Sequence, residues 1–359
     1  MKIVQKFYMQ EYLKLLGIIV FGLAMIFSLL DLVEKIDNFA PGKISMVSIM
    51  NYIFLIMPKY IQYLLPMSLL LSSLFIFGIA SRNKELIAIK ASGGKLKGLF
   101  LPFIIMGFVF SLFSFFLGEF AVPEFSERLL EFKREYMKTA EKVTFLEGTI
   151  WLRGTDGSIV RIALYVPEKR LAKGVSIFMP GEESLRKRIE AEEAQWAEDQ
   201  GGTGIWKLAH VVLYDFEGGK VYSLAEMAYP YLESPTLFSR GIRKPEEMGI
   251  TELFRYMERL NASGIKDSKL LVDFHVKVSY PFTNFFMMVL GLALSGMSRT
   301  GGGLFASGVG ISLSVVYWLL YTFMLSMGYA RVIHPVLAPW IVPVLFGMIA
   351  AYLFRRIPE

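Results

Sequence analysis

Apolar and polar positions alternate along this chain on two length scales, one of about 20 residues and one of two. Apolar runs occupy residues 12–33, of which 15–30 contain no charged side chain, and residues 52–80, 99–122, 272–297, 304–327 and 336–354. Each is close to the ~20 residues that a helix needs to cross ~30 Å of hydrocarbon. Inside a bilayer every backbone polar group must bond within its own segment or barrel, so the pattern predicts six transmembrane helices, three before and three after a long polar stretch.

Within that stretch the short period takes over. Pro123 marks a break, after which Phe125, Leu129, Phe132 and Tyr136 return at helical spacing, predicting a connecting helix over residues 123–142. From residue 143 to 235 the alternation is twofold, as in Val160, Ile162 and Leu164 against Ile159 and Arg161, with turn signals at Thr155-Asp156-Gly157 and Glu217-Gly218-Gly219. Seven to nine short strands without intervening helices predict an all-β, jelly-roll-like domain. Residues 236–271 read as a return linker carrying a helix over about 251–263, with Leu253, Phe254, Met257 and Leu260 on one face. The chain thus divides into residues 1–122 (spans one to three, with a loop helix at about 82–94), 123–142, 143–235, 236–271 and 272–359 (spans four to six).

Composition agrees with a membrane protein: 54% of the 359 residues are hydrophobic and the mean hydropathy is +0.47, above the ~50% apolar ceiling of ordinary soluble domains. The net charge of +6 is unevenly placed. Residues 123–271 hold 22 Lys/Arg against 24 Asp/Glu, a net −2, so the membrane part carries +8. That excess falls at Lys2 and Lys6, at Arg82, Lys84, Lys90, Lys95 and Lys97, at Arg299 and at Arg355 and Arg356, in alternate loops. Positive charge stays inside during insertion, which puts both termini in the cytoplasm and the β-domain outside. The first run precedes acidic residues and no small-residue cleavage site, so it is expected to remain as a span. There are no cysteines, and the outer domain is expected to rest on its own core.

Candidate chemistry is sparse. His210, His275 and His334 lie far apart, no HExxH occurs, and neither Gly93-Gly94-Lys95 nor Gly301-Gly302-Gly303 fits GxxxxGK[ST]. Neither a metal, a cofactor nor a catalytic residue is expected, and any nucleotide energy must come from another chain. Asp31, Glu34, Glu119 and Asp273 all fall near the outer ends of spans. A proton relay needs groups across the low-dielectric core, so a wetted rim is the better reading.

Between spans two and three, Arg82-Asn83-Lys84-Glu85-Leu86-Ile87-Ala88-Ile89-Lys90-Ala91-Ser92-Gly93-Gly94 sets mixed charges beside an apolar stripe. As a helix, it puts Leu86, Ile89 and Lys90 near one face, and Gly93-Gly94 stops it. Two readings stay open: a docking helix for a soluble partner, or a basic turn lying on the membrane.

Glu85-Leu86, Ala91-Ser92-Gly93 and their position after span two resemble the coupling segment of the LptF/LptG permease family, the membrane subunits of the ABC transporter that extracts lipopolysaccharide. The likeness extends over nearly the whole chain, including Phe27 to Asp37, Pro58 to Pro66, Gly118-Glu119 to Pro123, and Gly148-Thr149-Ile150-Trp151, which is nearer to the G-type subunit. The resemblance implies a non-enzymatic permease subunit in the inner membrane of a Gram-negative bacterium, with its β-domain periplasmic. It implies an F-type permease partner, a dimeric cytoplasmic ABC ATPase, a periplasmic bridge protein and, as an additional candidate, a single-span regulatory subunit. The coupling residues would be Arg82, Glu85, Leu86, Ile89, Ala91, Ser92 and Gly93, with Glu85 facing the ATPase.

Lys35, Lys43, Arg128, Lys133 and Arg134 cluster where outer-leaflet phosphates lie. In the family, basic residues at the end of span one and beyond span three contact the substrate headgroup, and Lys133 matches one such position. Asp31 or Leu32 and Leu130 stand where other cations are expected. The alternative is a solvated helix with internal ion pairs among Glu127, Arg128, Glu131, Lys133, Arg134 and Glu135. Gly302, Ala306, Gly310 and Ser314 form a small-residue stripe on span five. The resemblance assigns it, with Phe27 of span one, to a lateral-gate interface; packing within the chain serves the same pattern. A force-transmitting scaffold that carries no substrate is the alternative function.

Overall fold

The computed structural model describes residues 2–36, 39, 45–136, 143–146, 149–154, 156–166, 170–181, 185–198, 204–232, 235, 245–262, 268–297 and 303–357. Six helices among them are long and apolar enough to cross a membrane. They comprise α1 (Lys2–Lys35), α2 (Met46–Arg82), α4 (Leu96–Phe116), α7 (Ser268–Met297), α8 (Gly303–Tyr329) and α9 (Ala338–Arg355), with a short α3 (Glu85–Ala91) between α2 and α4.

A capping box starts α2: the Ser45 hydroxyl accepts from the Ser48 amide at 3.1 Å, and the Ser48 hydroxyl accepts from the Ser45 amide at 2.9 Å. This helix is the hub, because α1, α7 and α8 all pack on it. Small side chains permit the approach. A Cβ on Gly291 of α7 would stand 2.6 Å from the Cβ of Ser73 in α2. Tyr12 of α1, fully buried, donates to the Leu69 carbonyl of α2 at 3.0 Å and satisfies its hydroxyl within the apolar interior.

Span three does not break at Pro123. It passes through a π-helical turn, Leu117–Ala121, straight into α5 (Val122–Tyr136). A proline inside a helix removes one donor and crowds the preceding turn. Here the wider π turn lies directly before it and lets the helix continue. Phe132 and Leu129 of α5 then pack with Tyr52, Ile53 and Ile56 of α2.

The insert is an antiparallel sheet of seven strands in sequence order: β1 (Val143–Leu146), β2 (Thr149–Arg153), β3 (Ile159–Val166), β4 (Leu171–Pro180), β5 (Leu185–Glu198), β6 (Gly204–Asp215) and β7 (Lys220–Tyr229). The expected all-β insert is present, and its described strands are joined as successive neighbours. One face carries the core, including Ile150, Val160, Ile162, Ile177, Ile189, Trp206 and Leu208. A flat sheet would leave β7 about 19 Å from β3 at ~4.8 Å per strand. Yet the Tyr229 hydroxyl lies 2.9 Å from the Ser158 hydroxyl, so the sheet curls until its last strand meets the β2–β3 turn.

The curl has a local cause. Buried positions step by two and then slip by three along one row of adjacent strands: Ala172 to Val175, Ala191 to Ala194, and Leu208 to Val211. Gly174 and His210 occupy that row with left-handed φ of +62° and +53°. The crease turns the same face inward on both sides of a bend.

A second cluster fastens sheet to membrane helices: Leu164 and Val166 of β3 pack with Met248, with Leu253 of α6 (Ile250–Ala262), and with Leu270 of α7.

Candidate functional site

At the end of the bundle remote from the sheet, α3 is fixed at both of its termini. Lys84 enters it with φ +60°, and beyond it the Gly93 and Gly94 amides reach back to the Lys90 and Ile89 carbonyls, each at 2.9 Å. Gly93, at φ +80°, supplies the left-handed residue that this Schellman closure needs. Leu86 inserts fully into a cluster with Tyr8, Phe77, Leu96, Leu99 and Phe100, and Ile89 packs against it. Arg82, Ile87, Ala88, Ala91, Ser92 and Gly93 remain on the surface, Ile87 being 60% exposed.

Glu85 does not stand free. It is half-buried, accepts a short hydrogen bond from the Tyr8 hydroxyl of α1, and accepts another from the Asn83 amide at 3.2 Å. Of the seven coupling residues expected from the sequence, Arg82, Ala91, Ser92 and Gly93 face outward, while Leu86 and Ile89 key the helix into the bundle. Ile87, absent from that set, is the outward apolar residue. Its signal was the phase of the helix, one residue on from Leu86.

The opposite end carries the charged rim. Lys59 lies 23 residues before Arg82 in α2, about 35 Å along a helix, which puts it one hydrocarbon thickness away from the α3 end. It pairs with Glu247 at 2.9 Å. Lys35 of α1 pairs with Asp31 at 2.5 Å, and the Asp31 carboxylate also accepts from Tyr52 at 2.5 Å and Tyr60 at 3.1 Å. Lys133 of α5 is half-buried within electrostatic reach of Lys35, Lys59, Asp31 and Glu247. Arg128, by contrast, is exposed and paired with Glu124 at 2.6 Å, one helical turn away. Lys43 and the Arg134 side chain lie outside the described residues.

The family model "Lipopolysaccharide export system permease LptF/LptG" matches residues 6–356. The chain belongs to the LptF/LptG permease family. It is similar to the lipopolysaccharide export system permease protein LptG of Escherichia coli K12, 21% identical over 341 residues that cover 94% of this chain and 93% of that protein. The Haemophilus influenzae LptG is 21% identical over 332 residues, covering 91% and 88%. An uncharacterized protein of Rickettsia prowazekii is 21% identical over 312 residues, covering 82% of each chain.

In this LptF/LptG permease the small-residue stripe of α8 turns inward where it is described. A Cβ on Gly310 would lie 2.9 Å from side-chain atoms of Leu71 and Leu74 in α2, and Ser314 is buried. These two residues pack within the chain; Gly302 and the Ala306 side chain fall outside the described residues. Phe27 is partly exposed on α1, its ring 6.0 Å from that of Tyr60. The apolar surface of α8 is instead carried by Val315, Trp318, Leu319 and Phe323, and that of α1 by Ile18, Phe21, Ile26 and Leu30. Lys59 is the rim residue that sequence reading missed. An ionisable group inside an apolar run, next to Pro58, was the available signal.

Proposed function

We propose that this chain is the G-type permease subunit of an ABC transporter that extracts lipopolysaccharide from the inner membrane of a Gram-negative bacterium. In this reading both termini and α3 are cytoplasmic and the curled sheet is periplasmic, as the alternate-loop charge supports. An F-type subunit completes the membrane unit, a dimeric ATPase docks on α3, and the sheet passes lipid to a bridge protein, with a single-span subunit as a further partner. The chain itself performs no chemistry.

The observation that carries this reading is the construction of α3. Leu86 is locked among Tyr8, Phe77 and Phe100 while Ile87, Ala88 and Ala91 face out. A helix fastened on one side and bare on the other transmits a push as a rigid lever. Glu85 then serves to hold the lever to α1, and the exposed Ile87 face meets the ATPase. At the other end, Lys133 and Lys35 face the phosphates of the headgroup.

Gentle solubilisation tests the scheme: a homologous six-span protein and a small ATPase should copurify. Photo-crosslinkers at Ile87 should capture the ATPase, and Lys133→Glu should weaken lipopolysaccharide crosslinking. Protease access to α3 from the same side as the sheet would refute it. Absence of headgroup-dependent lipid binding with intact ATPase coupling would favour the force-transmitting scaffold.

A further inference from the structure

Three lysines from three helices lie at the sheet-side rim, and two of them already have carboxylate partners: Lys35 with Asp31 and Lys59 with Glu247. Lys133 has no such partner among the described residues, and both pairs lie within its electrostatic reach. The Asp31 carboxylate is immobilised. Its two oxygens take three donors, from Lys35, Tyr52 and Tyr60. Tyr52 is fully buried against the rings of Phe39 and Phe132, and Phe132 is the neighbour of Lys133 on α5.

We infer that Asp31 is a specificity-determining counter-anion, which makes this rim select lipids bearing more than one phosphate over phospholipids bearing one. The inference rests on the headgroup reading above. Among the described residues, a lipid with a single phosphate finds one ammonium without a carboxylate partner, Lys133. To gain a second it must draw Lys35 away from a carboxylate that cannot follow, and separating a partly buried pair leaves a charge uncompensated. A lipid with two phosphates occupies Lys133 with one and competes for Lys35 with the other, so two charge-assisted contacts offset that cost. Asp31 thus discriminates by penalising the abundant competitor, which is how specificity arises as a difference of affinities.

The test uses the full-length protein in phosphatidylcholine nanodiscs, with bis-phosphorylated lipid A, monophosphoryl lipid A and phosphatidylglycerol as probes. The parent should favour the bis-phosphorylated lipid by about tenfold over either singly phosphorylated one. Asp31→Asn should raise affinity for the single-phosphate probes by about fivefold, with less change for the other, and so compress the ratio. A ratio unaltered in a folded Asp31→Asn protein overturns the inference. If melting shows that this variant does not fold, Tyr60→Phe removes one of the three donors and should compress the ratio in the same direction by less; an unaltered ratio there also overturns it. Lys133→Gln separates the two layers, because it should weaken all three probes, and no weakening would refute the headgroup reading itself.

Discussion

Glu119 and Thr251 are joined across 132 positions of sequence: the Thr251 hydroxyl donates to the Glu119 carboxylate at 2.7 Å, and the neighbouring Ile250 amide donates to its other oxygen at 2.5 Å. A carboxylate on the π turn of span three therefore caps the N-terminus of α6, the helix that leads from the sheet back to the membrane. First-turn amides have no partner within their own helix, and a negative charge there also meets the positive end of the helix dipole. Glu119→Ala should cost about 1 kcal/mol of α6 stability. Hydrogen exchange at the first turn of α6 should accelerate in that variant and be partly restored in Glu119→Gln; unchanged exchange would remove the cap from the account.

At α3 the expectation concerns Tyr8 as much as Glu85. Tyr8→Phe deletes the hydroxyl that holds Glu85 to α1 and should loosen α3 while leaving its outward face intact. ATPase stimulation should fall in part. Ile87→Asp should abolish stimulation without lowering the melting temperature, since that side chain is mostly exposed. Full stimulation with Ile87→Asp would place the docking surface elsewhere.

Gly174 sits in the crease with φ +62°, and a Cβ there would lie 2.9 Å from the Cβ of Ala163. Gly174→Ala combines a left-handed backbone penalty of about 1–2 kcal/mol with a clash. The sheet should melt earlier. His210→Gly, on the same row at φ +53°, should be neutral or stabilising, and the two thermal midpoints in detergent decide it.

The β2–β3 turn should respond to acid. Partial burial opposes ionisation of Asp156, but the Ser158 hydroxyl and amide and the Tyr229 hydroxyl outweigh it and hold the carboxyl below the usual range. Because the folded value is depressed, its contribution is present above the unfolded value of about 3.9 and disappears as pH falls through the lower folded value. Asp156→Asn should melt earlier than the parent at pH 7, and the gap should close toward pH 3. A gap independent of pH would mean that the side chain acts through shape alone.

What could be read from the sequence follows from range. Each span was legible because twenty apolar residues answer to one solvent, and the strands because Val160, Ile162 and Leu164 answer to one face. The interactions that decide the candidate site join residues remote in sequence. Nothing near Glu85 announces Tyr8, and nothing near Asp31 announces Tyr52 and Tyr60. Pro123 read as a stop because the π turn that absorbs it has no composition of its own. The small-residue stripe read equally well as an interface or as internal packing. The close neighbours of Gly310, Leu71 and Leu74, lie in another helix and have no mark in the stripe's own sequence.

The hub helix α2 contains 37 residues, a rod of about 55 Å, whereas a bilayer with its headgroups measures about 40–45 Å. The surplus must be taken up by leaning or by protruding, and lipid thickness sets how much of each. Since α1, α7 and α8 are all braced on this one rod, a thinner or thicker membrane re-aims the whole assembly, and with it the angle at which the sheet is held above the surface.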